Sequence, residues 1–234
     1  MWVSSLLDRK VLSKQIVMNV QNLYVLQEVL SKLGLADYFR LRMELERSTE
    51  RQLPAFQLTD VTYYDDCKLE ITLYFKRSSD KDAYSFNRYA CSLRYFDDSI
   101  NNREHTFYRD DVIPTIKEAF NLLQGRAVNK DVKSLSTGFN NAWLVLNFYE
   151  KDLNGNYKLY YFPTKHGYEI EKIVEMYPIR ELQDPDLKAT LLLSLKAGDC
   201  CAVTLDRSRK SERVYIEANP RLKTIGIYPI KVSH

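Results

Sequence analysis

The sequence is short of the residues from which most catalytic and metal sites are built. It has three histidines, His105, His166 and His234, and four cysteines, Cys67, Cys91, Cys200 and Cys201, in 234 residues. No His-x-x-x-His, Glu-x-x-His or Cys-x-x-Cys spacing occurs, so the local ligand patterns of zinc sites are missing. Adjacent Cys200 and Cys201 on a strand would point to opposite faces, a poor pair for one metal. A few scattered cysteines in a chain of this size read as reduced thiols of a cytoplasmic protein. No Gly-x-x-x-x-Gly-Lys occurs; Gln124-Gly125-Arg126 follows a helix pattern instead of opening one, so Gly125 reads as a helix cap. No apolar run reaches the ~18 residues of a membrane span. Met1 to Val17 carry Asp8, Arg9, Lys10 and Lys14 and have no continuous apolar stretch, which does not fit a secretory signal. Met18 reads as a true start and residues 1–17 as an upstream extension.

What is present is a tyrosine-rich chain of ordinary hydrophobicity. Apolar residues make up 45% and charged residues 28%, enough for a folded core. There are 17 Tyr against 2 Trp; tyrosine favours strands and half-exposed sheet faces. The net charge of +3 is too small to imply nucleic acid. From Asp186 onward nine Lys/Arg face five Asp/Glu, a mild basic bias.

The clearest element is a hairpin over Asn140–Phe162, two aromatic and β-branched runs flanking Asp152-Leu153-Asn154-Gly155. Asn-Gly tolerates positive φ at both central turn positions. Before it, apolar spacing predicts a helix capped by Asn19 and stopped at Gly34, and a second over Tyr38–Gln52. Strands follow at Phe56–Thr59, Leu69–Phe75, Tyr84–Asn87, Cys91–Phe96 and His105–Arg109. Pro114 is placed in the first turn of a helix ending at Gly125, and Arg126–Gly138 reads as a strand fragment and mobile loop. After the hairpin come a helix over Tyr168–Tyr177, a helix capped by Asp184 with Pro185 at its first position, and strands at Cys200–Leu205, Arg213–Glu217 and Thr224–Tyr228.

The expected class is α+β, antiparallel meanders packed by helix pairs, in two units over residues 18–110 and 111–234. Both ends share one order of elements. Their charged turns, Lys76–Lys81 and Asp206–Ser211, match in kind, the pattern of an internal duplication around the hairpin.

Each candidate chemical group has a plain structural alternative. Asp65-Asp66, Asp97-Asp98 and Asp110-Asp111 read as turn residues. A Cys91 or Cys200 nucleophile paired with His166 has no local activating feature. Arg207, Arg209, Lys210 and Arg213, with Arg221 and Lys223, form a basic edge near Tyr215 and Tyr228. Cations beside stacking rings grip single-stranded nucleic acid, and charged turns also protect sheet edges.

Several stretches resemble a family of uncharacterised proteins from bacterial conjugative and mobilisable elements. They are Phe120–Val128, Asn140–Trp143, Asn154–Leu159, Tyr177–Pro185 and Glu217–Ile225. The resemblance runs from about Met18 to Tyr228 and departs at Met1–Val17 and Ser134–Phe139. It implies a cytoplasmic accessory protein of mobile DNA and supplies no catalytic residues. The sequence therefore points to a non-enzymatic interaction module with a protein partner, no cofactor and no membrane association. The alternative is single-strand nucleic-acid binding through the basic edge.

Overall fold

The computed structural model describes residues 20–79, 83–109, 112–132, 141–164, 167–207 and 210–230. The chain is α+β, with three antiparallel sheets. Helices α1 (Val20–Lys32) and α2 (Phe39–Glu50) precede a four-stranded meander, β1 (Ala55–Tyr63), β2 (Cys67–Arg77), β3 (Tyr84–Tyr95) and β4 (Arg103–Tyr108). Helix α3 (Ile116–Leu123) leads into a three-stranded sheet, β5 (Val128–Asp131), β6 (Asn141–Lys151) and β7 (Tyr157–Pro163), with β6 central. Helices α4 (Ile170–Val174) and α5 (Pro185–Lys196) precede the last meander, β8 (Cys201–Arg207), β9 (Lys210–Asn219) and β10 (Thr224–Pro229).

β6 carries an unbroken buried run, Ala142 to Asn147. Successive strand side chains point to opposite faces, so one run supplies two cores. Ala142, Leu144 and Leu146 join the first core, with α1, α2, α3 and the first meander. Trp143 and Val145 join the second, with α4, α5 and the last meander. The first core thus continues past residue 111 into α3 and β6. Trp143 meets Tyr168 edge to face at 5.2 Å. The Tyr168 hydroxyl donates to the Thr224 carbonyl and accepts from the Asn219 amide, pinning the β9–β10 turn under β6.

Local signals explain most of the elements. Gly34 and Gly125 have φ of +81° and +88°, the left-handed caps that end helices without a Cβ penalty. Asp184 accepts from the amides of Asp186 and Leu187 with Pro185 at the first position, as expected. Pro114 lies one residue before the cap of α3, which is Thr115 in a capping box with Glu118. β3 is one strand where two were expected; the register shift opposite Tyr74/Phe75 absorbs the irregularity. The hairpin loop is also wider than expected. Asp152 accepts from the amides of Asn154 and Asn156, and only Gly155 has positive φ. An Asx turn has replaced the two-residue turn. The Asn19 cap and the 133–140 loop lie outside the described residues.

The two end units share helix pair followed by meander, with four strands in one and three in the other. A meander is the simplest antiparallel order, so this likeness does not establish a duplication.

The hairpin loop also joins the first two sheets, because the Asn156 side chain accepts from the Thr106 amide at 2.9 Å on the open side of β4. Next to it His105 is buried against Phe107 and opposite Cys91, with no partner for Nδ1. Burial lowers its pKa to about 4, against the opposing pull of the Asp152 carboxylate.

Truncating Trp143 to alanine removes the largest side chain under the seam. It is expected to cost about 3–5 kcal/mol in guanidinium unfolding, with both meanders lost in one transition. The His105 pKa is depressed in the folded state, so the unfolded chain binds the extra proton. Stability is full above pH 6.5 and falls toward pH 4, by up to about 3 kcal/mol. Unfolding curves of His105→Phe across that window are expected to lose most of this slope.

Candidate functional site

The residues of the expected basic edge do not converge. Arg207 and Lys210 face each other at the β8–β9 turn, while Arg221 and Lys223 lie at the β9–β10 turn. β9 separates these turns by about 30 Å at ~3.3 Å per residue. Arg209 lies outside the described residues. Arg207 also approaches Glu212 at 3.9 Å, and Arg221 sits 5.8 Å from the Tyr160 ring centre. The single basic edge is therefore corrected to two separate ends.

Between them, alternation puts Val214, Ile216 and Ala218 inward and Arg213, Tyr215 and Glu217 outward. Tyr215 is directly opposite Tyr228 on the open face. Tyr228 lies across Gly226 to donate to Glu217 at 2.6 Å. A Cβ on Gly226 would sit 2.7 Å from its hydroxyl oxygen, so close approach requires glycine there. The bond to Glu217, followed by burial, raises the Tyr228 phenol to about 12.

Tyr215 also borders a larger feature, an open trench of about 990 Å³ along the seam between the cores. Its walls come from the β1–β2 turn (Tyr63–Asp66), α3 and its cap (Lys117 to Arg126), the α5–β8 loop (Asp199 to Cys201) and β9. The floor is built on Phe120, with Tyr64 stacked on it at 4.1 Å and 13°. The Arg126 guanidinium lies 5.8 Å from the same ring.

One buried side chain holds these walls. Asn121 donates to the Ala197 carbonyl at 2.8 Å and to Asp199 at 3.0 Å, and its own oxygen accepts from Arg126. Lys117 pairs with Asp199 at 2.5 Å. Gly198 closes the joint at φ +86°, where a Cβ would come within 2.9 Å of the Ala127 carbonyl oxygen. Within this framework Gln124 Oε1 and Arg126 Nε are buried without hydrogen-bond partners.

The trench offers rings and hydrogen-bonding groups. Neither thiol is activated: Cys200, although exposed at the trench rim, is raised by partial desolvation, and burial lifts Cys201 to about 11. Cys91 is raised further by complete burial. It faces His105 across β3–β4, and His166, its expected partner, lies outside the described residues. Among the described residues no group of three or more His, Cys, Asp or Glu is placed to hold a metal. No described helix is long and apolar enough to cross a membrane.

Sequence reasoning missed the trench because Tyr64, Phe120 and Tyr215 are far apart in the chain. The nearest signals were Asp65-Asp66 and Gln124-Gly125-Arg126, which were assigned to a turn and a cap. Both assignments hold for the backbone, while the flanking side chains line the site.

No family model, curated protein or solved structure matches this chain.

Exposure and burial order the thiols. Cys200 is exposed, Cys201 half-buried, and Cys67 and Cys91 buried. Alkylation of the native protein with iodoacetamide at pH 8, followed by mass mapping, is expected to modify Cys200 first. Cys67 and Cys91 are expected to react only on unfolding. Burial and the neighbouring Asp66 raise Cys67 to about 12, so its thiolate is scarce as well as shielded.

Proposed function

We propose that this chain is a non-enzymatic binding module, an accessory protein of a bacterial mobile genetic element that acts in the cytoplasm by docking a protein partner. The observation that carries the docking reading is the trench. It lies where two cores meet, a preferred place for binding sites. It presents Tyr63, Tyr64 and Tyr215 at 70%, 38% and 38% exposure, and tyrosine is enriched at interfaces because its apolar body ends in a polar tip. Its cysteines are poor nucleophiles, which favours binding over turnover. The mobile-element assignment rests on the sequence stretches alone.

A second reading, single-stranded nucleic acid, is favoured by one feature. Tyr215 and Tyr228 are cross-strand partners on an open face, and exposed Arg213 projects from that same face. Stacking beside a cation suits unpaired bases. The separation of the other cations limits this platform to a short footprint.

One experiment distinguishes the two. A photoreactive phenylalanine analogue placed at Tyr63 probes the trench, and one at Arg213 probes the sheet face. Docking in the trench is expected to give a nuclease-resistant protein adduct from position 63 in bacterial extract. Nuclease-sensitive adducts from position 213, together with a salt-dependent gel shift, would replace the first reading with the second.

A further inference from the structure

We propose that Asn154, at the tip of the β6–β7 hairpin, is a site of spontaneous covalent modification, and that its conversion to isoaspartate loosens the joint between this loop and β4. The reaction makes three demands on an asparagine. Its side chain must be untied, the next backbone nitrogen must be open to attack, and the backbone must be free to move. Asn154 meets all three.

Of the asparagines in the chain, only Asn154 is followed by glycine. Glycine has no Cβ to block the approach of the asparagine side chain to the next backbone nitrogen. The space around Gly155 is open as well, since a Cβ there would meet nothing within 4 Å. Both residues are exposed. The Asn154 side chain forms no hydrogen bond among the described residues; only its backbone N–H is held, by Asp152 at 2.8 Å. Other asparagines are tied down. Asn156 is buried with its oxygen on the Thr106 amide. Asn141 donates to Asn129 and Asp131, and Asn101 donates to Asp98 and accepts from Arg103. The Gly155 N–H donates to the Asp152 carbonyl at 3.0 Å. That bond must open before the nitrogen attacks, and it lies at an exposed loop tip, where local opening is easiest.

In the first step the Gly155 nitrogen bonds to Asn154 Cγ and gives up its proton, and the side-chain nitrogen leaves as ammonia. A cyclic imide remains. Water then adds to one of its two carbonyls. Breaking the bond from nitrogen to Cγ gives aspartate. Breaking the bond from nitrogen to the main-chain carbonyl carbon gives isoaspartate, whose backbone runs through Cγ and is longer by one carbon. Water is the sole co-reactant.

The longer backbone falls inside a closed loop. Asp152 Oδ1 accepts from the amides of Asn154 and Asn156, and the Asp152 amide donates to the Asn156 carbonyl at 2.8 Å. An added atom between residues 154 and 155 cannot be held between these ends without displacing Asn156. Asn156 carries the bond to the Thr106 amide that ties the loop to β4. Conversion therefore releases that bond.

The test ages the whole chain at pH 8 over days, then reads peptide masses and backbone fragmentation, which separates isoaspartate from aspartate. Asn154 is expected to convert before any other asparagine. Hydrogen exchange at the Thr106 amide is expected to quicken about fivefold to tenfold in the isoaspartate fraction, the effect of losing one hydrogen bond. Asn154→Ser cannot form the imide, and after the same ageing it is expected to keep native exchange at Thr106. Asn154→Asp adds the charge without lengthening the backbone and is expected to exchange like the fresh chain. No conversion at 154, earlier conversion of another asparagine, or isoaspartate at 154 with unchanged exchange at Thr106 would overturn the proposal. So would an Asn154→Asp chain that exchanges as fast as the isoaspartate form.

Discussion

The fold depends on one strand being buried from both sides. Two-sided burial forbids polar residues over Ala142–Leu146, because an unpaired polar group there would cost several kcal/mol. It also makes the two cores inseparable, since a shift of β6 by one residue would exchange the side chains offered to each. The buried run stops at Asn147, whose side chain donates to the Tyr160 hydroxyl. There the register with β7 breaks between Asn147 and Lys151. Within the break Tyr149 is 97% exposed, so the strand leaves the interior once its apolar run is used up.

A seam between two cores needs polar joints at its margins, where apolar packing ends. Asn121 provides one by tying α3 to the α5–β8 loop, and Asn156 provides another by tying the hairpin loop to β4. While the Asn156 joint lies away from the trench, on the first-core side, the Asn121 joint sets one wall of it without filling it. The same joint explains Gly198, whose missing Cβ lets the loop approach Ala127 and Val128. A methyl group at that position would open the seam from within, and would also be strained at φ +86°. The trench is therefore a consequence of how the cores are joined.

Legibility in the sequence followed the range of the interactions. The Asp184-Pro185 start, the Gly34 and Gly125 caps and the alternation of β2 depend on neighbours a few residues apart, and they were readable. The continuity of β3 depends on pairing with β2: its inward alternation slips by one between Phe86 and Tyr89, at the register shift, so the stretch reads locally as two strands. Pairing across β2 supplies what local pattern lacks: Arg88 lies over the Tyr74 ring at 4.3 Å on the open face. The hairpin was readable as an element, while its loop geometry was set by Asp152 instead of Asn-Gly. The trench was not readable at all, since its aromatic residues come from three distant stretches.

The basic edge failed for a related reason. Residues close in sequence were taken as close in space, but antiparallel strands carry successive turns to opposite ends of a sheet. Cations placed at both turns of a three-stranded meander are thus kept apart by the length of the strand between them. At the β8–β9 end, Arg180 reaches Asp206 at 2.6 Å and Ser211 at 2.9 Å, and the Thr204 amide donates to Glu181 at 3.0 Å. The β8 edge is occupied by these contacts and by the Ile179–Leu205 bridge, which withholds it from pairing with another chain. Charge at this end therefore guards the sheet margin.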